Sequence, residues 1–219
     1  MNSLLYYGPL FLRGAGVTVA AWLIAGLVSI IVGTAGGIVG SARVGSPLLR
    51  WCVRLYAFVT KGIPAYVQIL IFYFILPSVI GVHVSAFATA TFALALCSSG
   101  YVAEIVRAGL NAIPSGQWDA AFVLGYTLPQ MVRRIIMPQL LRTILPALIG
   151  ELEQLLKSTS LLATIGVTEV TRVGMNIISR ELAPLPIYGA IALIYLFFSA
   201  LLTLLMWYIE RRMAYGYRY

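Results

Sequence analysis

Apolar residues occur in this chain as blocks longer than soluble helices need. Residues 14–42 carry no charge. A bilayer-crossing helix takes about 20 mainly apolar residues, so this block predicts a first span. It exceeds the apolar core of a signal peptide, about 7–15 residues, and no clear cleavage site follows it. Residues 62–103 are also free of formal charge, long enough for two spans, with LPSVIGVHV (76–84) as the turn between them. The uncharged run 182–209 predicts a last span and ends in Trp207 and Tyr208, aromatic residues suited to a membrane interface.

The block 143–165, TILPALIGELEQLLKSTSLLATI, has the length and Leu/Ile/Ala content of a span but contains Glu151, Glu153 and Lys157. Each charge at mid-bilayer costs about 2.5–3.5 kcal/mol, so three facing lipid would cost roughly 8–10 kcal/mol. They must pair or face water. Glu153 precedes Lys157 by four residues, the favourable order for an ion pair within one helix. Glu151, Gln154 and Ser158 share a helix face, which points to a partner or a cavity rather than to lipid. Glu104 and Arg107, three apart, can pair near the end of the third span. The spans are expected at about 14–42, 55–76, 84–108, 140–165 and 186–209, in one all-α membrane domain over residues 1–219, with a polar loop at about 112–138. Lys61-Gly62-Ile63-Pro64 should break or kink the start of span two. Gly33, Gly36, Gly37 and Gly40 suit close packing of span one, and residues 166–186 form a polar connection.

Composition agrees: 61% of the 219 residues are hydrophobic and 10% charged, against roughly 25% charged in a soluble domain. The net charge of +8 is dispersed, with no aromatic-interleaved basic patch, so nucleic-acid binding is not expected. Topology explains the excess. With the N-terminus outside, the inner segments hold Arg43, Arg50, Arg54, Arg107, Arg133, Arg134, Arg142, Arg211, Arg212 and Arg218, and the outer ones only Arg13, Arg172 and Arg180. Ten against three sets the C-terminus inside. Cys52 and Cys97 fit neither a disulfide framework nor a zinc site, and the lone His83 reads as a loop or interface residue. No metal site is expected.

Between spans three and four the apolar pattern is interrupted by SGQWDAAFVLGYTLPQMVRRIIMPQ (115–139). Pro114 ends the preceding segment. Ser115 can cap a short helix whose early acid, Asp119, meets the positive end of the helix dipole. Gly125 is a helix stop that permits left-handed backbone. Pro129 begins a second short helix carrying Arg133 and Arg134. The charge count places this insert on the cytoplasmic face. From physics alone it could simply anchor the loop at the interface.

Asp119-Ala120-Ala121, three residues, Gly125, nine residues, then Ile135, Met137 and Pro138 resembles the Glu-Ala-Ala loop of the membrane subunits of bacterial ATP-binding-cassette (ABC) importers. Here the acid is Asp, and Met137 replaces a Leu. KGIPAYVQ (61–68), SSGYVAEIVRAGLNAIPSGQWDAA (98–121) and LLKSTSLLATIGVTEVTR (155–172) are similar, in order and spacing, to segments of the polar amino-acid uptake permeases of that class, the histidine, glutamine and arginine type. The resemblance implies a type I importer membrane domain of five or six helices in a bacterial inner membrane. It would form a homo- or heterodimer, sit on two ATPase subunits at the cytoplasmic side, and receive a small amino acid from an extracytoplasmic binding protein. Asp119, Ala120, Ala121, Gly125 and Pro138 would then belong to the coupling helix and loop that dock on the ATPase.

The chain has no G-x-x-x-x-G-K-[ST], so it cannot hydrolyse ATP by that route; no cofactor is expected here, with ATP and Mg²⁺ on the partner. The resemblance also implies that the helix of Glu151 lines the substrate pocket, with Glu151 at an acidic position. Ser158 stands where the family commonly has Asp and Cys97 where many members have Asn; Ser98, Gln154, Lys61, Gly62 and Pro64 are further pocket candidates. Two rival readings are a secondary transporter or channel driven by an ion gradient, and an intramembrane enzyme. The first lacks an internal repeat and leaves the insert without a purpose; the second lacks a zincin motif or any similar cluster.

Overall fold

The structure is a computed structural model that describes residues 2–81 and 84–214, so His83 and Arg218 lie outside the described residues. Those residues form eight helical segments and no strand. They are α1 (Asn2–Val39), α2 (Pro47–Gly62), α3 (Ala65–Val79) and α4 (Ala86–Ala112). Then come α5 (Ser115–Val123), α6 (Leu128–Ile165), α7 (Val170–Glu181) and α8 (Pro184–Ala214). By length and composition α1, α4, α6 and α8 can each cross a membrane, and α2 with α3 makes a fifth span if the bent pair counts as one.

α4 is the hub. Of its most apolar stretch 61% is buried within the chain, against 6% for α8, most of whose residues are exposed. α1 lies along α4 at contact distance because Gly33 and Gly37 carry no side chain there. A Cβ at Gly33 would stand 2.7 Å from the Ser99 carbonyl oxygen, and one at Gly37 2.6 Å from that of Ala103. Trp22 of α1 donates its indole N–H to the Leu152 carbonyl of α6 at 2.9 Å. One apolar cluster (Ala21, Ile69, Leu94, Leu155) joins α1, α3, α4 and α6. A second (Val106, Ile113, Ala121, Met131, Ile136, Leu140) seats α5 beneath α4 and α6.

Several boundaries differ from the sequence expectation. The helix of span one begins well before residue 14 and includes Arg13. Span two is a broken pair, bent by 95° between Gly62 and Ala65. Pro64 has no N–H, so the Thr60 carbonyl loses its helical donor. The buried Gln68 side chain supplies a replacement, donating to the Thr60 carbonyl at 2.6 Å and to the Ile63 carbonyl at 2.8 Å. The helix expected to start at Pro129 starts at Leu128, with the Gln130 side chain accepting from the Thr127 N–H at 2.9 Å, and it runs on into span four. The 166–186 connection is mostly helix, α7. Its N-cap, Glu169, is fully buried and accepts from the N–H groups of Thr171 and Arg172 at 2.8 Å and from the Tyr195 hydroxyl at 2.9 Å.

α3 and α6 each contain one wide π-helical turn, at Ile71–Ile75 and Val132–Ile136. In both a proline, Pro77 or Pro138, follows two residues after the turn. A proline ring clashes with the carbonyl four residues back, and a wide turn moves that carbonyl aside.

Candidate functional site

The insert occupies α5 and the turn after it. Ser115 is the first helical residue and not the cap: Pro114 holds that position, and no side chain bonds to the helix start. The end of α5 is closed by backbone alone. Gly125 has φ +76°, its N–H donates to the Phe122 carbonyl at 3.0 Å, and the Tyr126 N–H donates to that of Ala121 at 3.1 Å. This is a Schellman ending, and it needs the left-handed residue glycine adopts without strain. Ala121 is fully buried against the bundle and Trp118 half-buried, with Arg43 stacked over the Trp118 ring at 5.9 Å. The opposite side is open. Asp119 and Ala120 are exposed, and Phe122, Val123 and Leu124 are 76%, 83% and 73% exposed. A nine-residue helix thus presents a bare apolar ridge beside one carboxylate. Pro138 lies at the far end of the insert, in α6 just after the wide turn.

A cavity of about 370 Å³ opens where α2, α3, α4 and α6 meet. Its wall includes Glu151, Gln154 and Ser158 from α6, Cys97 and Ser98 from α4, and Lys61 and Pro64 from the α2–α3 break. Gly62 is the one sequence-selected pocket candidate outside this wall; it faces an adjacent cavity. The buried Ser98 hydroxyl donates to Glu151 Oε1 at 2.8 Å. Cys97 Sγ lies 3.6 Å from the Thr60 carbonyl, which ties α4 to the break. The Ser158 hydroxyl turns back to the Gln154 carbonyl at 2.9 Å.

Charge is distributed unevenly around this cavity. Glu153 is paired with Lys157 at 2.7 Å. Glu104 is paired with Arg107 at 3.2 Å and also with Lys61, a partner the sequence did not indicate because 43 residues separate them. Lys61 is thus no free cation in the pocket. Among the described residues no Lys or Arg forms an ion pair with Glu151. A carboxylate with one hydroxyl donor and no cation leaves the cavity ready for a positively charged guest.

Sequence reasoning missed Gln68 and Glu169. Each is a polar residue in an apolar setting that satisfies backbone left open by a break or a helix start. The only signal was position: Gln68 falls four residues after Pro64, and Glu169 immediately before a helical run.

Residues 32–215 match the family described as the binding-protein-dependent transport system inner membrane component. The chain belongs to this family. It is 33% identical over 166 residues to the arginine transport system permease protein ArtQ of Bacillus subtilis, covering 75% of this chain and 74% of that protein. It is 32% identical over 212 residues to the glutamine transport system permease protein GlnP of Escherichia coli, covering 94% and 93%. Its fold matches a crystal structure of an amino acid ABC transporter with histidines at a TM-score of 0.86, with 32% identity and coverage of 96% and 97%. This family member is therefore an all-α, multi-pass membrane subunit of an ABC importer with the type I fold, and its work is transport rather than catalysis. The comparisons give no support to an ion-driven secondary transporter.

Proposed function

We propose that this subunit forms half of a pathway for polar amino acids across a bacterial inner membrane, with Glu151 selecting a cationic group on the substrate. The observation that carries the reading is the cavity in which Glu151 stands without a cation while both neighbouring acids, Glu104 and Glu153, are paired. The relatives' names, which include arginine and glutamine transport, support an amino-acid cargo. A cationic side chain on the substrate, such as a guanidinium, satisfies Glu151.

The family supports a reading of the remaining parts. A second permease subunit, identical or paralogous, completes the pathway. Two ATPase subunits bind ATP and Mg²⁺ and dock on α5 from the cytoplasm, and an extracytoplasmic binding protein delivers the amino acid. This chain holds no cofactor. The basic residues put the N-terminus outside and the C-terminus in the cytoplasm. Asp119, Ala120 and the Phe122–Leu124 ridge form the docking surface. When the ATPases close, the two α5 helices approach each other, and the movement passes through Ala121 and Met131 into α4 and α6 as a rigid-body shift.

The test is reconstitution of the complete transporter in vesicles with radiolabelled arginine, histidine and glutamine. Uptake is expected to require ATP and both partner types. Glu151→Gln is expected to lower arginine uptake about tenfold, the value of one charged hydrogen bond, and glutamine uptake less. Uptake by this chain alone, or equal losses for arginine and glutamine, overturns the reading.

A further inference from the structure

A second cavity, of about 440 Å³, adjoins the first, and Lys61 lines both. Its charged wall is Arg54, Lys61, Glu104 and Arg107, a surplus of two positive charges where the first cavity has an unpaired carboxylate. Along α4 the first cavity uses Cys97, Ser98 and Tyr101, and the second Ala103, Glu104 and Arg107. At about 1.5 Å per helical residue the second lies roughly 10 Å nearer to α5. Glu104 is already shared by Lys61 and Arg107, and Lys61 also rests over the Tyr101 ring at 5.5 Å. Arg54 is exposed and forms no hydrogen bond or ion pair among the described residues. A planar guanidinium with unused donors, backed by two further cations, matches a carboxylate in both charge and geometry.

We propose that this cavity is a carboxylate-binding station, which takes the α-carboxylate of an amino acid that has left the Glu151 cavity towards α5. The proposal rests on the reading of the Glu151 cavity as the substrate pocket. The two cavities form consecutive stations on either side of Lys61, the first with an unpaired carboxylate and the second with an unpaired guanidinium. The first holds the cationic side-chain end, and the second draws the carboxylate onward. The phosphate of a lipid headgroup has the same anionic chemistry, so the test must separate the two.

Phe58, 73% exposed on the wall of the second cavity, is a site for a tryptophan reporter. The complete transporter carrying Phe58→Trp is placed in phosphatidylcholine nanodiscs and titrated with arginine and with agmatine, which is arginine without its carboxylate. The emission change is measured against the parent without the reporter. Arginine is expected to shift the emission and agmatine not. Arg54→Gln is expected to weaken the arginine response about tenfold, and Arg54→Lys to keep part of it. No response to arginine, an equal response to agmatine, or a response unchanged by Arg54→Gln overturns the proposal. Abolition by added phosphatidylglycerol would assign the cavity to a lipid phosphate and also overturn it. Failure of the Glu151 reading itself would appear separately, as equal losses in the uptake assay.

Discussion

At the residue scale, Gly125 and Gly33 lack a side chain for different reasons. A side chain at Gly125 would meet no neighbour within 4 Å, and the constraint is the backbone, with φ +76°. Gly125→Val should cost about 1–3 kcal/mol in local strain. It should leave membrane insertion intact and abolish substrate-stimulated ATP hydrolysis in the assembled transporter; stimulation that persists would show that the turn plays no part in coupling. Gly33 is constrained by its neighbour, since a Cβ would fall within 2.5 Å of that of Val102. Gly33→Val should therefore lower the Tm of the purified transporter while Gly36→Ala, which meets only the Ala103 Cβ at 3.5 Å, changes it little. The glycines were visible in the sequence as a packing motif, but which of them touch α4 was not, because that depends on the rotation of α1 about its axis.

At the element scale, the break between α2 and α3 determines where Lys61 and Pro64 point. It persists because Gln68 supplies two donors to carbonyls that Pro64 and the 95° bend leave open. Gln68→Leu keeps the size and removes the donors, leaving buried carbonyls unpaired at about 1–3 kcal/mol each. The expected outcome is a lower Tm and faster alkylation of Cys97, whose sulfur shares the Thr60 carbonyl with Gln68. Unchanged Cys97 alkylation would show that the break holds without this clasp. The two wide turns make a parallel case. Pro138→Ala removes the ring that the Val132–Ile136 turn accommodates, so an α-helical turn can form there. Such a reversion would rotate the helix leading to α5 relative to Glu151, and coupling of ATP hydrolysis to uptake should fall while ATP hydrolysis itself persists. Coupling equal to that of the unaltered transporter would argue against any role for the turn.

At the scale of the whole molecule, one helix joins the Glu151 cavity to the exposed ridge of α5. α4 connects them: its middle carries Ser98 against Glu151, and its end carries Leu110 and Ile113 in the cluster that holds α5. Through α4, a movement of α5 is expected to reach the cavity wall. On the other side of the bundle Glu169 ties α7 to α8 through Tyr195, while the adjacent Val170 N–H donates to Thr18 of α1 at 3.3 Å. Glu169→Ala would leave a helix start and a half-buried tyrosine without their acceptor and should cost about 1–3 kcal/mol in stability. Glu169→Gln keeps an acceptor oxygen and should recover most of it in a thermal unfolding series; equal loss in both would point to charge rather than hydrogen bonding.

The sequence alone determined that the chain spans a membrane, roughly where it does so, that a polar insert interrupts it, and that Glu151, Gln154 and Ser158 share a face. These properties follow from the length of apolar runs and from helical periodicity, which are local. The tertiary structure decided that Lys61 pairs with Glu104, that Gln68 closes the break, that α7 is a packed helix, and that a cationic cavity adjoins the acidic one. Each depends on residues far apart in the chain meeting at a few ångströms. That proximity is set by how α1, α2 and α6 pack on α4, which no window along the sequence contains.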